Sequence, residues 1–321
     1  MNKELRIVFM GTPEFAVATL DKLLTQGYHI VGVITAPDKP AGRGQKIQMS
    51  AVKEYALKKG LNILQPLNLK SDEFISSLRA LKANLQIVVA FRMLPEIVWN
   101  MPELGTYNLH ASLLPKYRGA APINWCLIKG DKQSGVTTFK LTHAIDTGSM
   151  LFQEPVTVTD DMNAGELHDL LMLTGSALML KTVNAIRDAF NGGEQLQFIQ
   201  QDDNEATHAP KIFKDTCRIN WSKSVKEVYN LIRGLSPYPA AYTEFKGNDG
   251  AVISMKLFKV KIVDDPCKPA GTLITDNRSY IRISCEGGVL DIEELQLQGK
   301  RRMHIKEFLN GYEFPQPLVL L

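Results

Sequence analysis

The front half of the chain alternates between two hydrophobic patterns. Short, nearly all-apolar runs read as strands: "LRIVFMG" (5–11), "HIVGVITA" (29–36), "LNILQP" (61–66), "LQIVVAF" (85–91) and "GVTTFKL" (135–141). Among them lie stretches with an apolar stripe at helical spacing: "TPEFAVATLDKLLTQG" (12–27), "SAVKEYALKKG" (50–60) and "SDEFISSLRALKA" (71–83). Thr12 is the expected N-cap of the first helix, with Pro13 at its first position and Gly27 as its stop. This alternation predicts a doubly wound, mainly parallel, Rossmann-like α/β sheet covered on both faces. Such sheets take ligands at the carboxyl ends of their strands. A long amphipathic helix follows over 164–190, its Leu and Met stripe read as core.

After residue 190 the grammar changes. "NGGEQLQFIQQDDNEATHAP" (191–210) is polar and rich in Gly and Gln, and reads as a linker closed by Pro210. One helix, "SKSVKEVYNLIRGL" (222–235), then precedes strand-like runs: "AYTEF", "VISMKLFKVKIV", "GTLITD", "SYIRISC" and "VLDIEELQLQG". Short strands at this spacing predict a smaller OB-like β-barrel, a class that often binds oligonucleotides. The expected organisation is a catalytic domain over 1–190, a linker over 191–208 and a C-terminal domain over 209–321.

Length supports two domains, since 321 residues exceed one ordinary core. Charge separates the halves. From Ala206 onward there are 17 Lys and Arg against 13 Asp and Glu, a surplus of four; the first 205 residues hold 20 against 21. A basic back half suits a polyanionic partner. The four cysteines (Cys126, Cys217, Cys267, Cys285) are far apart and form no CxxC, so they read as reduced thiols with no metal site. No apolar run is read as spanning a membrane, and "MNKELRIVFMG" is a charged start before a strand rather than a signal peptide. The cytoplasm is the expected compartment. The first turn, "MGTPEF", has one Gly and no GxGxxG, which argues against nicotinamide binding.

The chemistry gathers in "YNLHASLLPKYRGAAPINW" (107–125). Asn108 and His110 lie two apart on a predicted strand, hence on one face at the ligand edge. An amide and a positioned imidazolium both donate to a developing oxyanion. "THAIDTGSML" supplies Asp146 after "GVTTFKL", and a carboxylate near an imidazole favours its charged form. Asn, His and Asp at neighbouring strand ends suit acyl transfer without a covalent nucleophile.

With "MGTPEFA", "PAGRG", "IDTG" and the closing "GKRRMHIKEFLNG", these residues resemble the folate-dependent formyltransferases over nearly the whole chain. The resemblance points to the branch whose acceptor is methionine esterified to charged initiator tRNA. It implies 10-formyltetrahydrofolate as formyl donor, no metal, and Asn108, His110 and Asp146 as the catalytic trio. It also implies folate contacts at Ser112, Leu113, Leu114 and Pro115, and an acceptor-stem loop over Pro40, Ala41, Gly42, Arg43 and Gly44. The cations expected on tRNA are Arg43, Lys46, Lys300, Arg301 and Arg302; no membrane and no obligate protein partner are implied. Three alternatives stay open: a formyltransferase acting on an amino sugar nucleotide, a formyltetrahydrofolate hydrolase, and a non-catalytic RNA-binding protein.

Overall fold

A computed structural model describes residues 3–41, 46–247, 250–314 and 318–320. The chain forms two compact units, Met1–Gly119 with Gln133–Thr157 and His168–His208, and Ala120–Lys132 with Val158–Leu167 and Ala209–Leu321. Segments 120–132 and 158–167 group with the C-terminal residues, and residues 191–208, expected as a linker, group with the first unit.

The elements run β1 (Arg6–Gly11), α1 (Glu14–Thr25), β2 (His29–Ile34), β3 (Lys39–Ala41), β4 (Lys46–Gln48), α2 (Ala51–Lys58), β5 (Ile63–Leu64), α3 (Asp72–Ala80), β6 (Leu85–Val89), α4 (Glu96–Trp99), β7 (Thr106–His110) and β8 (Arg118–Gly119). Helix α5 (Pro122–Lys129) belongs to the second unit; β9 (Gln133–Lys140), β10 (Met150–Thr157) and α6 (Ala164–Phe190) follow. The first unit's sheet has the order β10-β9-β7-β6-β1-β2-β5. From β5 to β7 every pair is parallel, whereas β9 runs antiparallel to β7, and β10 to β9. Ile7, Val8, Phe9 and Met10 in β1 are fully buried, as a strand covered on both faces requires. Val8 and Met10 pack with Phe74, Ile75 and Leu78 of α3.

Three expectations change here. Helix α1 starts one residue later than expected, with Pro13 in the cap position and no side-chain cap; the Thr12 carbonyl accepts from the Val52 amide at 3.4 Å. The "PAGRG" stretch is flanked by paired strands, Lys39 facing Gln48 and Pro40 facing Ile47. Helix α6 is long and apolar enough, by length and composition, to cross a membrane, although His168, Asp169 and Thr174 interrupt its apolar run. Leu167, Leu171, Leu178, Met179, Val183 and Ile186 of this helix are buried.

After β11 (His208–Ala209), where the division falls, the second unit continues with α7 (Val225–Leu235), β12 (Ala241–Lys246), β13 (Val252–Val263), β14 (Thr272–Thr275), β15 (Ile281–Cys285), β16 (Gly288–Leu297), β17 (Met303–His304), α8 (Ile305–Leu309) and β18 (Leu318–Val319). Ser224 and Glu227 form a capping box at the start of α7. The sheet order is β12-β13-β16-β15-β14-β18, all antiparallel, with β17 on β16. It is a curled sheet or half-barrel, and among the described residues no pairing joins β12 to β18. Trp221, Ile232, Phe245, Leu257, Ile283 and Leu290 share its core.

Candidate active site

Strand β7 sets two side chains on one face. Asn108 lies between Val88 of β6 and Phe139 of β9, and His110 faces Thr137. Asn108 is half-buried, and its side chain makes no hydrogen bond among the described residues, so its amide is available to a ligand. His110 is 6% exposed. Its Nε2 lies 2.8 Å from the Tyr117 carbonyl oxygen. A carbonyl only accepts, so Nε2 carries a hydrogen and Nδ1 is the ring's remaining basic atom. Nδ1 faces Asp146 Oδ2 across 3.8 Å, beyond a hydrogen bond but within strong electrostatic reach.

The turn after β7 is built from its own neighbours. Ser112 Oγ donates to the Lys116 carbonyl at 2.6 Å. Thr137 Oγ1, buried on β9, donates to the Ser112 carbonyl at 2.7 Å, and accepts from the Leu114 amide at 3.1 Å and Gln153 Nε2 at 3.0 Å. Gln153 Nε2 also donates to the Leu114 carbonyl at 2.8 Å. The Leu114–Pro115 peptide is cis. Ser112, Leu114 and Pro115 are buried, while Leu113 is half-buried beside Gly135, where a Cβ would meet its methyl group. The hydroxyl and amide that sequence alone offers to folate are thus engaged within the chain.

Asp146 arrives by an indirect route. Because β9 is antiparallel to β7, its carboxyl end lies beside Tyr107, not His110. At ~3.3 Å per residue the offset is about 10 Å. The 141–149 loop turns back across it. Gly148 passes so close to the Lys140 carbonyl that a Cβ would collide with it. Asp146 itself has φ 55°, in the left-handed region. Its carboxylate accepts from the Gly119 amide at 2.9 Å.

The polar run expected as a linker is tied to these loops. Ile199 pairs with Met150 across two backbone bonds of 2.8 Å. Gln201 Nε2 donates to the carbonyls of Asp146 and Gly148, each at 2.8 Å. Thr207 receives the Tyr117 amide on its hydroxyl at 2.8 Å and the Arg118 amide on its carbonyl at 2.9 Å. Gln201, Thr207 and Thr137 carry no local sequence signal for this role.

A cleft of about 920 Å³ opens after β6, lined by Leu67, Leu69, Arg92, Met93, Leu94 and Ile97 among others. Glu96 on its rim pairs with His143 of the Asp146 loop at 3.4 Å. Sequence reading did not pick out these residues. Among the described residues no group of three His, Cys, Asp or Glu is disposed to hold a metal ion.

The expected tRNA contacts are scattered. Arg43 lies outside the described residues, as do Gly42 and Gly44, and of Lys46 only the backbone, in β4, is described. In the second unit Lys300, Arg301 and Arg302 are exposed before β17. Arg301 pairs with Glu307, and Arg302 pairs with Glu294 and lies 4.5 Å over the Phe258 ring. Lys300 has no ion pair among the described residues.

A half-buried amide, a buried imidazole and a half-buried carboxylate thus come together beside the carboxyl end of β7 in a mainly parallel sheet. The formyl transferase family matches residues 5–183 and its C-terminal domain residues 211–313. A methionyl-tRNA formyltransferase of Bacteroides thetaiotaomicron is 53% identical over 97% of both chains, and one of Flavobacterium johnsoniae is 51% identical over 97% of this chain and 98% of its own. An N-formyltransferase from Helicobacter canadensis, solved with folinic acid and dTDP-3-aminofucose, shares the fold at TM-score 0.64, with 18% identity over 90% of this chain and 98% of that one. HypX from Aquifex aeolicus has the same TM-score at 16% identity, over 98% of this chain but 49% of its own. The chain belongs to the formyl transferase family, among the methionyl-tRNA formyltransferases.

Proposed function

We propose that this chain transfers the formyl group of 10-formyltetrahydrofolate to the α-amino group of methionine on charged initiator tRNA, giving formylmethionyl-tRNA for translation initiation. What carries the reading is the Asn108–His110–Asp146 set, gathered around a buried imidazole, in a chain about half identical, end to end, to methionyl-tRNA formyltransferases. The relatives that act on sugars are alike in fold alone, and the intact trio speaks against a non-catalytic RNA-binding protein.

The α-amine, with an ordinary pKa of ~8, is largely protonated at neutral pH and loses a proton before it attacks the formyl carbon. His110 Nδ1 and Asp146 handle that proton. Asn108 and the protonated imidazole donate to the developing oxyanion. As the new C–N bond forms, the bond to folate N10 breaks and N10 takes up a proton. The cleft beside α4 and the 112–115 turn line the space for the donor; large, mainly apolar clefts with few polar groups suit such ligands. Acceptor-stem contacts fall to the loop bearing Arg43 and Lys46, and further phosphates to Lys300, Arg301 and Arg302 in a basic second unit that works as the tRNA-binding domain. The enzyme acts in the cytoplasm, where its tRNA is charged.

The test is formyl transfer from 10-formyltetrahydrofolate to charged initiator tRNA, with uncharged tRNA, free methionine and an amino sugar nucleotide as competing acceptors. Transfer confined to charged tRNA is expected. No transfer to it, or preferred transfer to the sugar nucleotide, overturns the reading.

A further inference from the structure

The antiparallel run of β9 leaves Asp146 on a loop that must turn back to reach His110, with its own backbone in the left-handed region. Nothing within the 141–149 loop fixes the Asp146 and Gly148 carbonyls; Gln201, more than fifty residues downstream, takes both. Its two N–H bonds are fully used by two acceptors. Its Oε1 receives Arg118 Nε at 3.0 Å and Nη2 at 2.8 Å. The amide orientation is therefore chemically determined, since a flipped amide would set oxygen against two carbonyls and NH₂ against a guanidinium. Arg118 is itself tied down: its side chain is 10% exposed, its Nη2 also meets Asp203 at 2.8 Å, and its amide is held by Thr207. The next residue, Gly119, donates to the Asp146 carboxylate. The bonds close into a ring: Asp146 carboxylate, Gly119 amide, Arg118 guanidinium, Gln201 amide, Asp146 carbonyl.

We infer that Gln201, anchored by Arg118, is a positioning residue for the transfer reaction, setting where the Asp146 carboxylate stands against His110. Gln201 has no contact with His110 and acts only through the loop. The inference rests on the formyl-transfer reading for its kinetic readout, but not for its structural one. Asp146 is held at φ 55° with its own carbonyl and that of Gly148 pinned by Gln201; without Gln201 the loop relaxes and the 3.8 Å approach to Nδ1 is lost.

The test compares Gln201→Ala and Gln201→Glu with Asp146→Asn and the Gln201→Ala/Asp146→Asn double variant. Gln201→Glu keeps an oxygen for Arg118 but has no N–H for the loop carbonyls, so it removes the bonds to the loop while keeping the anchor that Gln201→Ala loses. Both Gln201 variants should lose between about ten- and a hundred-fold in kcat, the scale of a small misplacement, with KM for charged tRNA and folate changed by less than about threefold. Their pH–rate profiles should shift in the same sense as that of Asp146→Asn. In the double variant the loss should equal that of Asp146→Asn alone within about threefold, because residues in one network are not additive. Without any substrate, hydrogen exchange at the Gly119 amide should quicken in both Gln201 variants, a readout that holds even if the acceptor differs. Unchanged kcat, multiplicative losses in the double variant, or an unchanged Gly119 exchange rate would overturn the inference.

Discussion

The turn after β7 and the loop after β9 both deliver groups to His110, and they are held in different ways. In the turn, Ser112 bonds Lys116 four residues away, and one buried hydroxyl, Thr137 Oγ1, gathers the Ser112 carbonyl, the Leu114 amide and Gln153. The loop has weak internal support, a Thr142–Thr147 hydroxyl contact and a Thr147–Ala144 bond near its exposed tip. Asp146 is fixed from outside, by Gly119 and Gln201. The turn leans on one bond of its own and on the strands beside it. A loop that is braced depends on residues no local pattern connects to it.

The sharpest way to break this comparison is at the residue both elements serve. His110→Ala should leave the sheet intact by circular dichroism and lower kcat by ~10²–10³ or more, as loss of an oxyanion donor and proton handler does. A near-normal kcat would make His110 a structural residue. Next comes the braced loop itself. Asp146→Asn keeps the acceptor for the Gly119 amide through its amide oxygen and removes the charge facing Nδ1. Turnover should fall and the pH–rate profile should move, not merely drop. A profile of unchanged shape would reduce Asp146 to a capping group.

The turn after β7, held by Thr137 of β9, fails differently. Thr137→Val keeps the shape and removes the hydroxyl, leaving the Ser112 carbonyl and Leu114 amide without that partner in a fully buried place. Unsatisfied buried groups cost ~1–3 kcal/mol each, so a lowered urea midpoint is expected, with stability lost more visibly than kcat. An unaltered midpoint would mean that water or Gln153 replaces the hydroxyl. The smallest effect belongs to the exposed cations. Lys300→Ala should make the salt dependence of tRNA binding shallower by about one phosphate contact and leave folate binding alone. Arg301→Ala and Arg302→Ala should change it less, since Glu307 and Glu294 already neutralise them. Equal slopes in all three variants would assign the polyanion to another face.

What was legible in the sequence follows the same division. The apolar runs of β1, β2, β6 and β9 and the stripes of α1, α2, α3 and α6 fall where periodicity sets them, because burial on two faces leaves one solution for each. Asn108 and His110 are readable for the same reason, as alternate residues of one strand. The antiparallel turn of β9 is not readable, since strand direction depends on pairing and not on local pattern. Strand β10 escaped because its edge position lets Glu154 and Gln153 break the apolar run. Gln201 was hidden in a Gln-rich stretch with the composition of a connector. Its role exists only once Arg118 and the Asp146 loop are within reach.

The bracing of the Asp146 loop also sets an order of events on the ribosome. All seven strands of the first sheet, and α6 after them, leave the exit tunnel before Gln201 and Thr207 do. A nascent chain that has emerged only as far as Phe190 can pair β7 with β9, yet it has nothing to fasten the returning loop or to hold the Tyr117 and Arg118 amides. Fastening of the loop therefore trails the end of α6 by some seventeen residues of synthesis, the count from Phe190 to Thr207.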